Sequence, residues 1–229
     1  YSAGLMATTT IGAGMFALPY VFQQAGVLTG LFYLIILGAV VGFAHALYMR
    51  TLARVRERSR LLGLAAEYWG AWGRRIALLS IVGGLLFVLV VYLILAGRFV
   101  ELLLPGSGPW GLAIFWLAGS LPLLVRLKRL VASELLGGLL MLGIILLIFA
   151  SGTRADSFAS FSVARFEHFF LPFGIILFAL AGWTAVEPVF DYGDTQGGSR
   201  KQLAWGMWAG TAATAVLYLM FVLGVAGSG

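Results

Sequence analysis

Long apolar runs, separated by short polar or basic segments, dominate the pattern along the chain. Runs of about 20 residues with few charges are typical of helices that cross a bilayer. The pattern predicts an all-α, polytopic membrane helix bundle. We expect seven spans, at about 3–24, 28–48, 76–101, 110–125, 133–151, 169–190 and 203–226. Because both ends fall beside apolar runs, we expect residues 1–229 to form a single but incomplete transmembrane domain.

Composition excludes a water-soluble fold, since 61% of the residues are hydrophobic, 10% are charged and the mean hydropathy is +1.00. An average soluble domain is about one-quarter charged. The chain has no cysteine, which excludes disulfides, thiolate metal sites and cysteine nucleophiles. Its net charge of +6 comes from basic residues in short loops, so the predicted partner is the lipid bilayer and not a nucleic acid.

The distribution of Lys and Arg predicts how the chain is oriented. Twelve of the fifteen lie in segments 49–75, 126–129 and 200–201, which the span count places on one side. The positive-inside rule assigns that side to the cytoplasm, so the N-terminus is expected to be cytoplasmic in a plasma or inner membrane. Within the first of these segments, residues 61–72 are apolar but too short to span. They are expected to form either an interfacial helix or a helix packed under the bundle.

The stretch from Thr8 to Pro19 is a poor sequence for an unbroken first span. Gly12 and Gly14 each cost about 1 kcal/mol relative to alanine inside a helix. The threonines at 8–10 compete with the helical hydrogen bonds, and Pro19 disturbs the continuation of the helix. We expect two half-helices with an unwound middle, which a membrane tolerates only where it is packed in protein or lines a cavity. Glycines that serve only close helix packing are the alternative.

Nothing in the sequence predicts a cofactor or an enzyme. Gly12–Ala17 matches the letters G-x-G-x-x-A, but a dinucleotide site needs a preceding strand and an acidic residue about 20 positions later. The surroundings here are a membrane span, and position 37 is a leucine. With two histidines on opposite sides and no cysteine, no metal-ligand spacing or catalytic set is recognised.

The sixth span carries a second set of features that weaken a helix. Gly182, the small residues Ala179 and Ala181, and Pro188 indicate a break near its middle. Broken helices at corresponding positions of two halves are the sequence signature of an inverted-repeat transporter with a site at the bilayer midplane. Two interpretations stay open for Trp183, which either lines a substrate pocket at this break or fills space between helices.

Glu187 is the one acidic residue clearly inside a span, in the predicted cytoplasmic half of span six. Ionisable groups at membrane depth are functional candidates by default. Two hypotheses remain open. Glu187 either takes part in proton coupling or gating, or it caps a bundle end or pairs with a loop arginine.

The two breaks carry a resemblance to a known family. Residues Thr10–Tyr20, followed by Gln24-Ala25-Gly26, closely resemble the first-helix motif of permeases of the amino acid/auxin permease and aromatic amino acid permease groups. These groups belong to the amino acid–polyamine–organocation superfamily. Phe178–Trp183, leading to Pro188, is a looser match to the sixth helix. The resemblance implies a leucine-transporter-like inverted-repeat fold of about ten or eleven helices. This chain would supply the first five-helix repeat plus two helices, with helices 1 and 6 broken.

The resemblance also implies where a substrate binds. Backbone amides of residues 12–14 would hold a carboxylate, and carbonyls near residues 9–11 and 178–181 would hold an ammonium group. The candidate substrate-binding residues are Thr9, Thr10, Ile11, Gly12, Ala13, Gly14, Phe178, Ala179, Leu180, Ala181, Gly182 and Trp183. The electrostatics of helix ends is consistent with this orientation of the substrate, because free N–H groups attract an anion and free carbonyls attract a cation. Where the family often has a Phe-His or similar pair, this chain has Gly182-Trp183, so side-chain selectivity is not carried over.

The leading hypothesis is therefore a secondary active transporter that moves amino acids by alternating access, coupled to protons or sodium ions. A membrane-embedded enzyme or channel-like protein is the alternative class. An enzyme is expected to cluster His, Asp, Glu or Cys at membrane depth, which this sequence does not do. A further expectation is that the fragment by itself is inactive, because its second repeat is incomplete.

Overall fold

A computed structural model describes residues 2–54, 60–121, 127–152, 162–195 and 199–227. In that part of the chain the α-helices are α1 (Ser2–Thr10), α2 (Leu18–Ala25), α3 (Val27–Leu52), α4 (Leu61–Leu103), α5 (Gly108–Ser120), α6 (Leu127–Gly152), α7 (Leu171–Ala179), α8 (Val186–Thr195) and α9 (Arg200–Ala226). Short 3-10 helices occur at Ala13–Ala17, Phe166–His168 and Trp183–Ala185. The all-helical membrane bundle is confirmed. Among the described residues, four helices are long and apolar enough to cross a membrane, or five when the bent pair at the N-terminus counts as one span.

The chain forms two compact units. One consists of Tyr1–Arg56 and Glu134–Gly229, and the other consists of Glu57–Ser133. The first unit contains both broken spans, together with α3 and α9. Its core is formed by fully buried side chains from these elements, among them Met15, Leu18, Ile176, Leu180 and Tyr218. This unit therefore holds every candidate site residue.

The first span is broken, as predicted. Its two parts, Ser2–Thr10 and Ala13–Ala25, meet at 55°. Gly12 lies between them with extended backbone, at φ −147° and ψ −162°. Pro19 has a different role from the one expected, since it is the second residue of α2. A proline in the first turn of a helix loses no hydrogen bond, so Pro19 helps to begin α2 and does not cause the break.

The sixth span is also broken, over residues 180–182. Helix α7 ends at Ala179, and helical structure resumes with the 3-10 turn that leads into α8. Between them the Gly182 amide donates to the Leu180 carbonyl at 2.8 Å, which closes a tight three-residue turn. Despite this break, Leu171–Asp191 is long and apolar enough to cross a membrane.

Helices α3 and α9 are long, continuous helices of this unit, and they coincide with the spans predicted at 28–48 and 203–226. A capping box between Ser199 and Gln202 begins α9, with each backbone amide bonded to the other side chain at 3.2 Å. Glycines allow α9 to pack closely. A Cβ on Gly206 would lie 2.7 Å from Ser2 Cβ, and one on Gly210 would lie 2.6 Å from Met6 Cβ. Gly206 and Gly210, four residues apart, therefore form a close packing face of α9 against α1.

Gly26 has the spacing of a small-residue packing pair with Gly30, but it forms the turn between α2 and α3. Its φ is +91°, and a Cβ there would lie 2.6 Å from Ala164 Cα. The turn is held by segment 162–165, because Val27 N donates to Ser162 O at 3.0 Å and Arg165 N donates to Ala25 O at 2.9 Å. The segment that precedes α7 is therefore tied to the end of the first span.

In the second unit, the predicted helix at 61–72 and the third span form one helical element, α4. This element has a kink at Gly70, inside the predicted 61–72 helix, where the φ of 63° and ψ of −152° are not helical. Near this kink Tyr68, Trp69 and Trp72 are strongly exposed. Helix α5 ends at Ser120, and residues 122–125 of the predicted span lie outside the described residues.

One loop prediction is wrong. The connection expected at 126–129 is helical from residue 127 onward, because α6 begins at Leu127. Lysine and arginine are good helix formers, so a basic segment beside an apolar run extends the helix without interrupting it. Residue 126 lies outside the described residues. The apolar part of α6, Leu136–Gly152, is shorter than the four spanning helices.

Candidate functional site

The two breaks lie directly against each other. A Cβ added to Gly14 would lie 2.6 Å from Ala179 Cα, which is closer than real Cβ atoms approach. In return, a Cβ on Gly182 would overlap the Thr10 hydroxyl and lie 2.9 Å from Met6 Cε. Each break thus presents a glycine to the end of the other span's first half-helix. Two segments that are 168 residues apart in sequence form one site.

Tyr218 joins the two breaks from the middle of α9. Its side chain is fully buried. Its hydroxyl donates to the Thr10 carbonyl at 2.9 Å and to the Ala179 carbonyl at 2.7 Å. These carbonyls belong to the last residues of α1 and α7, where helical partners are missing. A tyrosine hydroxyl has one proton, so it shares that proton between two acceptors.

Three backbone amides beside this junction have no helical partners. Among the described residues, the amides of Gly12, Ala13 and Gly14 donate to no backbone carbonyl, and the first to do so is Met15, to Gly12 O at 3.2 Å. Free amides at the start of a helix carry partial positive charge and favour an anion. The site therefore has a donor-rich end on one span and carbonyl oxygens at the end of both first half-helices.

The sequence-predicted residues take different positions around the junction. Thr10, Gly14, Ala179 and Gly182 are buried and are brought into contact across it. Ala13 and Leu180 are also buried, and the Leu180 side chain belongs to the hydrophobic core. The remaining candidates are half-buried, apart from Ala181, which is exposed: Thr9, Ile11, Gly12, Phe178 and Trp183. Tyr218 is the residue that sequence reasoning missed.

Glu187 lies near the start of α8, next to the second break. Its carboxylate accepts a hydrogen bond from the Tyr48 hydroxyl of α3, and the two oxygens are 2.6 Å apart. Such a short distance is typical of a charge-assisted hydrogen bond. The contact fixes the second half of the broken sixth span to an unbroken helix. It leaves both hypotheses for Glu187 open.

One turn away on α3, His45 is buried against α9. Its Nδ1 lies 3.3 Å from the Thr211 hydroxyl oxygen. That hydroxyl donates its proton to the Met207 carbonyl at 3.0 Å, so it can only accept from the histidine. We therefore assign the proton of the imidazole to Nδ1. His45 has the packed position expected of a core histidine.

Two apolar helical segments that meet at their breaks, where backbone donors and acceptors lack helical partners, are typical of a polytopic membrane protein, and this junction is the candidate site. Groups of three or more His, Asp or Glu that could hold a metal ion do not occur among the described residues.

Residues 1–227 match the family described as transmembrane amino acid transporter protein, and the chain belongs to that family. It is therefore a multi-pass membrane permease of an amino acid transport family, which argues against an enzyme. The resemblance seen in the first-span motif is confirmed at this level. Neither the curated proteins nor the solved structures contain a match to the chain.

Proposed function

We propose that this protein is a secondary active transporter that moves amino acids across the cytoplasmic membrane by alternating access, driven by a proton or sodium gradient. The observation that carries this proposal is the contact between the two breaks, with Tyr218 bonded to a carbonyl on each side. A membrane protein does not retain unwound backbone at this depth unless that backbone is packed or lines a cavity.

The arrangement suits a zwitterion. The free amides of Gly12, Ala13 and Gly14 would take the carboxylate, because they present donors and the positive end of a half-helix. The carbonyls of residues 9–11 and 178–181 would take the ammonium group, with those of Thr10 and Ala179 as its primary acceptors. An ammonium group has three protons and can serve both carbonyls fully, whereas the Tyr218 hydroxyl shares one.

The order of the elements supports a leucine-transporter-like inverted repeat. A half-helix, a break, a second half-helix and a long helix occur as α1, α2 and α3, and occur again as α7, α8 and α9. The packing of these elements is reciprocal, since α1 contacts α9 and α3 contacts α7. With a cytoplasmic N-terminus the first set begins inside and the second begins outside, which gives the two sets opposite orientations.

Side chains next to the second break are proposed to complete the site. Gly182 leaves the room in which Thr10 packs, and the half-buried Trp183 would line the substrate pocket. Glu187, held by Tyr48, is proposed to act in coupling or gating. This carboxylate links a half-helix to an unbroken helix. A change in its charge under a gradient would alter that hydrogen bond and thereby shift the half-helix.

Uptake by the full-length protein in liposomes tests this proposal. Labelled amino acids are added outside, with an imposed proton gradient, with an imposed sodium gradient, and with neither. Gradient-dependent accumulation of one or more amino acids is expected, and protein-free liposomes serve as the control. Absence of any amino-acid flux under all three conditions, from protein that is folded and monodisperse, would overturn it.

A further inference from the structure

An apolar groove lies on the outer face of the first unit, between α3 and α9, away from the junction of the two breaks. It encloses about 530 Å³, within the range of about 300–1,000 Å³ that is typical of small-molecule sites. We define the α3–α9 groove by its lining residues, which are Ala46, Arg50, Lys201, Ala204, Trp205, Trp208, Ala209 and Ala212. Four alanines leave the space, and two cations lie at one end.

The residues that form this groove follow from helical spacing. On α9, positions 201, 205, 208, 209 and 212 recur at intervals of three and four residues and share one face. On α3, Ala46 and Arg50 are four residues apart and face the same way. Trp208 lines the groove and packs against Gly42, which has no side chain. A Cβ on Gly42 would lie 3.0 Å from its ring.

The groove has the depth of one lipid leaflet. From Lys201 to Ala212 the helix advances about 16 Å, at about 1.5 Å per residue. Half of a typical hydrocarbon core is about 15 Å. Lys201 is the second residue of α9 and Arg50 is two residues from the end of α3, so both cations lie at the membrane boundary. The apolar part therefore runs from that boundary toward the middle of the bilayer.

Charge complementarity identifies the occupant. Arg50 and Lys201 are exposed, and neither has a carboxylate partner among the described residues. Arg50 also borders a smaller cavity that is lined by Arg54, which adds to the positive potential at this end. The exposed Trp205 lies one turn deeper, where an amphipathic ring is favoured at the headgroup level. Two cations above an apolar channel match an anionic headgroup above an acyl chain.

We propose that the α3–α9 groove is a binding site for one anionic phospholipid, whose phosphate contacts Arg50 and Lys201 and whose acyl chain lies against Trp208 and the alanines. Anionic lipids are enriched in the cytoplasmic leaflet, the side to which the positive-inside rule assigns this end of both helices. Because the groove is formed by the unbroken helices α3 and α9, a bound lipid would hold together the helices against which the broken spans pack.

Native mass spectrometry of the full-length protein tests the proposal. Delipidated protein is titrated with phosphatidylglycerol or phosphatidylcholine carrying identical acyl chains. We expect one phosphatidylglycerol to be retained at about 30-fold lower concentration, since two cations near an anionic headgroup contribute about 2 kcal/mol and each 1.4 kcal/mol is tenfold. Equal retention of the two lipids, or no retained lipid, would overturn the proposal.

Two double variants distinguish binding at this groove from a general attraction of anionic lipid to the positively charged surface. Arg50→Gln with Lys201→Gln is expected to abolish the preference for phosphatidylglycerol. Arg74→Gln with Arg75→Gln removes the same charge from exposed positions outside the groove and is expected to preserve it. An equal loss in both double variants would show that net charge alone attracts the lipid, which contradicts a defined site.

A second comparison places a large side chain inside or outside the groove. Ala209→Trp keeps both cations but fills the apolar channel, so retention of phosphatidylglycerol should fall about tenfold. Ala213→Trp places the same ring on an exposed position of α9 that does not line the groove, and retention should stay unchanged.

A third experiment adds inorganic phosphate as a competitor of the lipid. Displacement of the lipid by phosphate at equal concentration would show an anion site without an acyl channel, and would overturn the proposal.

Discussion

The two broken spans differ in what their breaks expose. In the first, three consecutive amides at residues 12–14 lack backbone acceptors among the described residues. In the second, the chain closes on itself, since Ala181 N donates to Phe178 O at 3.2 Å and Gly182 N donates to Leu180 O at 2.8 Å. The first break therefore leaves three amide donors without a backbone acceptor, and the second is a compact turn that ends beside it. Similar composition gives two different kinds of break.

The glycines of the two breaks also differ in their surroundings. Gly14 faces the backbone of Ala179, with a would-be Cβ 2.6 Å from Cα and 3.0 Å from N. Gly182 faces the side chains of Thr10 and Met6. A backbone atom at the end of a helix cannot move without moving the helix, whereas side chains change rotamer. The first break is thus expected to tolerate less change than the second.

Gly14→Leu is expected to have the largest effect. Overpacking against fixed backbone costs about 1–3 kcal/mol or more, and each 1.4 kcal/mol is tenfold in affinity. Substrate binding should fall about 100-fold, with loss of uptake in liposomes, while the protein still inserts. Gly4→Leu is the control, because nothing lies within 4 Å of a Cβ at that position of α1. Wild-type affinity in Gly14→Leu would mean that the first break serves packing only.

Gly182→Leu should have a smaller effect, of about tenfold in affinity, because its neighbours are side-chain atoms that can yield. The measurement is the same binding assay, and Gly174→Leu is the matched control, since a Cβ at that position of α7 meets nothing within 4 Å. A loss as large as that of Gly14→Leu would remove the proposed distinction between the two breaks.

How far the sequence predicts this site depends on the range of the interactions involved. The two breaks were predictable, because glycine, threonine and small residues act on the helix that contains them. The role of Tyr218 was not, because its acceptors are 208 and 39 residues away. A tyrosine inside an apolar run gives no local sign of the carbonyls that it will meet. Likewise, Gly26 and Gly30 have the spacing of a packing pair, and only the contact with Ala164 identifies Gly26 as a turn.

Tyr218→Phe tests the two carbonyls, one at each break, that accept from the Tyr218 hydroxyl. Removing the hydroxyl leaves two buried acceptors short of a donor, so the free energy of unfolding should fall by about 1–3 kcal/mol without substrate. If an ammonium group takes the same carbonyls, saturating amino acid should restore much of the lost thermal stability, and apparent affinity should rise a few-fold. Thermal unfolding with and without substrate measures this. Equal destabilisation in both conditions would show that the substrate does not reach these oxygens.

The smallest effects are expected from variants of Glu187 and its partner Tyr48, which mark a charge that the second broken span has and the first lacks. Helix α8 contains Glu187, whereas α2 has no acidic residue. Tyr48→Phe removes the hydrogen bond but keeps the carboxylate. It should lower the uptake rate by less than about tenfold, since a typical net hydrogen bond is worth about 0.5–1.5 kcal/mol.

Glu187→Gln keeps an acceptor for Tyr48 but removes the charge. If Glu187 couples the gradient, this variant should exchange amino acids across the membrane at near the wild-type rate without accumulating them.

The two variants together distinguish coupling from gating. Loss of gradient-driven accumulation in Glu187→Gln alone indicates that the charge itself responds to the gradient. A similar fall in exchange rate in both variants indicates that the bond between α3 and α8 controls opening. Asp191→Asn is the matched control, because it removes an exposed carboxylate one turn further along the same helix. Wild-type behaviour of both Glu187→Gln and Tyr48→Phe would assign the pair to structure alone, and the asymmetry between the two spans would then lie in their backbones.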